Sequence, residues 1–106
     1  MPGAARKGDM AETGHTCTPF TTIATGSDDV KINGIAASRA YIDDLTSHTI
    51  QSGNSCVEHV GLSINSRIPL SQGSPNVFVN NYPLARTEDR VDAGKITGGS
   101  SNVIVN

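Results

Sequence analysis

The sequence predicts an all-β fold of short strands and hairpins. Two observations carry that prediction: one strand wording occurs three times, and the intervening chain is rich in turn residues while nearly lacking helix signals. Gly26-Ser27-Asp28-Asp29-Val30-Lys31-Ile32-Asn33-Gly34, Gly73-Ser74-Pro75-Asn76-Val77-Phe78-Val79-Asn80-Asn81 and Gly99-Ser100-Ser101-Asn102-Val103-Ile104-Val105-Asn106 share the pattern Gly-Ser-x-x-Val-x-Ile/Val-Asn. The β-branched residues alternate, so Val30 and Ile32, Val77 and Val79, and Val103 and Val105 each share one face of a short strand, and that face is expected to make the core. Asn33-Gly34 reads as a tight two-residue hairpin turn, because both residues tolerate positive φ, and Asn80-Asn81 is a weaker version at the same place. The residues after each turn also repeat, with Ala37-Ser38-Arg39 and Leu84-Ala85-Arg86 at matching offsets. Arg6, with Gly8-Asp9 behind it, reads as a third copy whose preceding strand is missing. These Arg and Asp residues fit either a solvated face with local ion pairs or a shared structural role. The helix candidate is about ten residues around Ser38 to His48, where Tyr41, Ile42 and Leu45 have helical spacing; Asp43, Asp44 and Thr46 limit it to one turn.

Composition narrows the class further. The 106 residues suffice for one domain, residues 1–106, and only 4% of them are aromatic. Leu, Ile, Val and Phe together number 23, so the core must be thin, and a metal, a disulfide or a partner is expected to add stability. Eight Lys+Arg stand against ten Asp+Glu with no aromatic-basic clusters, which argues against a nucleic-acid partner. No apolar stretch approaches a membrane span, and the start Met1-Pro2-Gly3-Ala4-Ala5-Arg6-Lys7 lacks the apolar run of a signal peptide.

All three His and both Cys fall between positions 15 and 59: His15, Cys17, His48, Cys56 and His59. Cys56-Val57-Glu58-His59 has the close spacing of a tetrahedral N/S site, and His15-x-Cys17 is a second cluster that folding could bring alongside. Imidazole and thiolate favour Zn or Fe over Mg or Ca. The same residues equally fit a Cys17–Cys56 disulfide, or buried thiols, with surface histidines nearby.

In order along the chain, Arg6-Lys7-Gly8-Asp9, a His, a Gly-Ser-x-x-Val-x-Ile-Asn-Gly strand, an Arg and Asp, a Cys/His cluster and two more such strands resemble the PAAR-repeat proteins. Ala4-Ala5-Arg6, Ala36-Ala37-Ser38-Arg39 and Pro83-Leu84-Ala85-Arg86 are degenerate matches to the Pro-Ala-Ala-Arg signature. The resemblance implies a small pointed β-cone with pseudo-threefold repeats and a metal-stabilised tip. Such a cone sits on a trimeric β-helical spike of a contractile phage tail or a type VI secretion system. It implies three His and one Cys as ligands of one structural Zn or Fe ion, matched here by His15, His48, Cys56 and His59, with Cys17 in reserve. It implies one chain per spike trimer, docked through the strands of Val30, Ile32, Val77, Val79, Val103 and Val105, a monomer when alone, and transient contact with the target membrane. The expected location is the baseplate tip of a virion, or a bacterial cytoplasm before type VI delivery.

This chain departs from the family pattern in three places. The family's Arg-x-Gly-Asp becomes Arg39-Ala40-Tyr41-Ile42-Asp43 and Arg86-Thr87-Glu88-Asp89, so the tight Gly turn is expected to be lost twice. Ala93-Gly94 stands where Cys-Gly is frequent. The segment Val60 to Leu70 is longer than the pattern requires and reads as a hairpin of its own.

An enzyme is not expected. With the histidines committed, no Gly-x-Ser-x-Gly, phosphate loop or carboxylate constellation stands out, and Asp28-Asp29, Asp43-Asp44 and Glu88-Asp89 read as solvated turn residues. The alternative to the spike tip is a small secreted β-rich adhesin or sugar-binding module held by a disulfide, although two Tyr and two Phe offer little stacking surface.

Overall fold

The computed structural model describes residues 2–60 and 68–106. Within them the chain forms ten short strands and no helix. The strands are β1 (Met10–Glu12), β2 (Phe20–Thr22), β3 (Lys31–Ile32), β4 (Ile35–Ala36), β5 (Thr49–Ser52), β6 (Ser55–Glu58), β7 (Phe78–Val79), β8 (Tyr82–Pro83), β9 (Arg90–Val91) and β10 (Gly94–Lys95). Consecutive strands pair as five antiparallel hairpins. The expected turns are present: Asn33 and Gly34 take φ of 55° and 77° between Ile32 and its partner Ile35, and Asn80 and Asn81 take 52° and 70° between Val79 and Tyr82. Two successive positive φ values match the right-handed twist of the flanking strands.

The helical turn expected near Ser38 to His48 does not form. Tyr41 adopts φ of 74°, which breaks a right-handed helix, and Asp44 and Leu45 leave to bridge Pro69 and Ile23. Of the hairpin expected over Val60 to Leu70, residues 61–67 lie outside the described residues; Leu70 is fully buried and bridges Val91.

The repeated wording folds into repeated hydrogen bonding. The Ser27, Ser74 and Ser100 backbone N–H groups donate to the carbonyls of Ala37, Leu84 and Ala4 at 2.7, 2.8 and 2.8 Å. The same seryl Oγ atoms accept the N–H groups of Val30, Val77 and Val103 three residues on. Lys31 pairs with Ala36, Phe78 with Pro83, and Ile104 with Gly3. The strand that Arg6 lacks before it in sequence is therefore supplied by the last copy of the wording, which returns to pair with the N-terminal segment.

Between these units lies a closed triangle of backbone bonds. Ala5 N–H donates to the Ala85 carbonyl (2.9 Å), Ala85 to Ser38 (2.9 Å) and Ser38 to Ala5 (3.1 Å). Each corner carries an Arg. In Arg6–Asp9, Arg39–Asp43 and Arg86–Asp89 the carboxylate accepts from the backbone N–H, Nε and Nη2 of its Arg. These bonds raise all three guanidinium pKa values above the ordinary value. The Arg and Asp residues thus have a shared structural role: the carboxylates reinforce turns that the backbone also closes, with the N–H groups of Asp9, Asp43 and Asp89 donating to the carbonyls of Arg6, Arg39 and Arg86.

The expected loss of tight turns at the later Arg copies also needs correction. Tyr41 (φ 74°) and Glu88 (φ 78°) hold the same left-handed position as Gly8 (φ 90°), each two residues after its Arg. The carboxylate bonds and the triangle around each turn impose the conformation even without Gly.

The core is thin and split. One cluster gathers Ala5, Ala11, Ile23, Leu45, Leu70, Ala85, Val91 and Ile96. The second gathers Ala4, Ile32, Ala37, Val79, Leu84 and Val105, with Val30, Val77 and Val103 half-buried against it. Of the six residues expected to face a partner, Ile32, Val79 and Val105 are core in this chain, and the three valines retain exposed surface.

Candidate metal centre

Three loops bring the histidines together. The ladder of β5 and β6 ends with Thr49 opposite Glu58, so the next residues outward, His48 and His59, sit side by side, and His59 N–H donates to the His48 carbonyl at 2.9 Å. His15 lies in the β1–β2 connection. There Gly14 takes φ of 78° and packs so tightly that a Cβ on it would collide with the Ala93 carbonyl oxygen, which only glycine avoids. The Ala93 N–H donates to the carbonyl of buried Thr13, and the Thr13 hydroxyl accepts the His15 N–H and donates to the Thr18 carbonyl. These bonds fix the β1–β2 connection against the β9–β10 turn, where Asp92 has φ of 55°.

The four side chains converge, with their donor atoms within 4.8 Å of one another. His15 Nε2 is 3.0 Å from Asp92 Oδ1, His48 Nε2 is 2.7 Å from Asp92 Oδ2, and His59 Nδ1 is 3.3 Å from Asp92 Oδ2 and 3.2 Å from His48 Nε2. The edge of a tetrahedron around a metal with bonds of 2.0–2.1 Å is about 3.3 Å, so these separations suit one small ion. The side chains of His48 and Asp92 are buried, and those of His15 and His59 stay a quarter and a fifth exposed.

His48 supplies the decisive detail. Its Nδ1 is 3.1 Å from the Thr46 carbonyl, which can only accept, so Nδ1 carries a proton. In the neutral ring Nε2 then presents a lone pair, and it faces a carboxylate oxygen and a second imidazole nitrogen. That lone pair is placed to bind a metal ion together with the carboxylate, and an imidazole oriented through a backbone carbonyl is the usual support of a metal ligand. Three imidazoles and one carboxylate fit Zn or Fe(II).

The expected ligand set is corrected at one position. His15, His48 and His59 are brought together as expected, but Cys56 is bonded to Cys17 in a disulfide with Cα atoms 6.0 Å apart, so neither Cys56 nor the reserve Cys17 offers a thiolate. Asp92 takes the fourth place. It stands immediately before Ala93-Gly94, the dipeptide that replaces Cys-Gly, and an acidic residue beside a missing ligand was the available signal.

No protein-family profile matches the chain. It is similar to Double-stranded DNA deaminase toxin A of Burkholderia cenocepacia (strain H111), at 36% identity over 81 residues. The match covers 76% of this chain and 5% of that protein, so the chain spans a small fraction of the relative. The expectation that no enzyme is involved is thereby overturned, because a protein similar over most of this chain is named for an enzymatic activity.

Proposed function

We propose that the chain is a PAAR-like spike tip: a β-cone with pseudo-threefold repeats that caps a trimeric β-helical spike, its narrow end held by one Zn or Fe ion at His15, His48, His59 and Asp92. The observation that carries this reading is the closed triangle of Ala5, Ser38 and Ala85 with an Arg–Asp pair at each corner. Three like units around one centre present three like strand ends, which suits a partner with a true threefold axis. A trimeric β-helix ends in exposed strand edges, and a matching cap covers them. The half-buried Val30, Val77 and Val103, one per unit, offer apolar surface to that contact. The metal replaces side-chain packing where the volume is too small for a core.

The relative's name supports a link between this domain and a toxin acting on double-stranded DNA. Zinc deaminases use a His/Cys/Cys zinc with a Glu general acid/base in an H-x-E and P-C-x-x-C context. The donor set here is three His and an Asp with both cysteines in a disulfide, so the link we propose is delivery of a deaminase by the tip. Incubating the chain with double-stranded DNA tests this: released ammonia would place the activity in these residues.

The disulfide favours a second reading, a secreted adhesin or sugar-binding module. Mixing the chain with the spike trimer of its own system and measuring mass by light scattering separates the two. The cap predicts a monomer that binds one per trimer and stays bound at raised salt. No complex, or three copies per trimer, together with glycan binding, would favour the adhesin.

A further inference from the structure

We infer that the Cys17–Cys56 disulfide is a redox clamp on the metal centre: oxidised, it holds His15 and His59 against Asp92, and reduced, it lowers the affinity for the metal. This rests on the reading of His15, His48, His59 and Asp92 as a metal site. Cys17 is two residues after His15, and Cys56 is three before His59, so the bond joins the two loops that carry the more exposed ligands.

The hairpin that carries Cys56 has little else to hold it. All four residues of β6 are exposed, and in β5 only Thr49 and Ile50 are half-buried. Among the described residues its ties to the His15 loop, besides the disulfide, are polar. The Thr18 hydroxyl lies 2.8 Å from that of Thr49 and accepts the Thr49 N–H at 3.1 Å, and Thr16 reaches Gln51 at 3.4 Å. Segments with few apolar contacts open at low free-energy cost, so a covalent tie there governs how often His59 is in place. The His48 and Asp92 side chains are buried, whereas His15 and His59 keep more exposure.

Closing the clamp removes two protons and two electrons from the thiols. A disulfide donor such as oxidised glutathione accepts them and leaves as two reduced thiols, with one S–S bond formed and one broken. Because the coupling is reciprocal, a bound metal must also protect the disulfide.

The test uses the full chain and Zn²⁺. Affinity is measured by competition with a chromophoric chelator for the oxidised protein, for protein reduced with a phosphine, and for Cys17→Ser/Cys56→Ser. Reduction is followed by thiol labelling with and without Zn²⁺. We expect Zn²⁺ binding about tenfold weaker without the disulfide, as for the loss of groups that orient ligands, and slower reduction when Zn²⁺ is bound. Equal affinities or equal reduction rates would overturn the clamp. Failure of Zn²⁺ to bind the oxidised protein would instead overturn the metal site itself. If the double variant does not fold, the reduction rates of the unaltered chain decide the matter.

Discussion

His48 Nε2 lies 2.7 Å from Asp92 Oδ2 while the opposite ring nitrogen of His48 is committed to the Thr46 carbonyl. Residues 44 positions apart thus bring a ring nitrogen and a carboxylate oxygen together in a buried place, where both can bind one metal ion. Asp92→Ala is expected to reduce bound metal from about one equivalent to near none and to lower Tm, because a structural metal contributes its binding energy to folding. Elemental analysis of protein purified without a His-tag or chelator, with a thermal melt, checks both.

Tyr41 holds a left-handed backbone that costs a non-glycine residue about 1–2 kcal/mol. Its side chain is largely exposed. Tyr41→Gly should therefore stabilise the fold by about 0.5–1 kcal/mol after the extra flexibility of glycine in the unfolded chain is subtracted. Urea unfolding of the variant beside the parent measures it, and a loss of stability would show that the turn carries no strain.

Arg39 and Lys95 form ion pairs of very different worth. The Asp43 carboxylate is buried and accepts three bonds from Arg39 and one from Thr25, whereas Lys95 and Glu88 meet in solvent. Arg39→Ala leaves a buried charge and should cost about 3–5 kcal/mol. Lys95→Ala should leave stability nearly unchanged, since the solvent screens this exposed pair. Denaturant midpoints of the two variants test the contrast.

Hydrogen bonds from Asn80, and then Ser27, hold the Asp29 carboxyl below the ordinary carboxylate range. A depressed folded-state pKa contributes stability that is complete above the unfolded value of about 4 and is lost as pH falls through the folded value. Asn80→Gly preserves the positive φ while deleting the donor, so the Asp29 titration should move up toward its ordinary range. A carboxyl NMR titration that does not move would contradict this.

Much of the fold is legible in the chain because its signals are local. Asn33-Gly34 and Asn80-Asn81 specify their own turns, and alternation puts Ile32, Val79 and Val105 inside. The left-handed Tyr41 and Glu88 are not legible, since neither residue favours that conformation and long-range bonds impose it. At the site, the three histidines stand out because they are few, but spacing leaves the partner of Cys56 open between a metal and Cys17. Only the pairing of the β5–β6 hairpin with the Thr16–Thr18 segment decides it for the disulfide. Asp92 is one of ten acidic residues and gains its role from the β9–β10 turn and from Gly14, which no periodicity in its neighbourhood announces.

The most direct measurement is X-ray absorption at the Zn and Fe edges of the oxidised protein. A metal held by His15, His48, His59 and Asp92 predicts a first shell of nitrogen and oxygen alone at about 2.0–2.1 Å, with imidazole scattering behind it. A sulfur neighbour at about 2.3 Å would return Cys56 or Cys17 to the site and contradict a centre whose cysteines are bonded to each other.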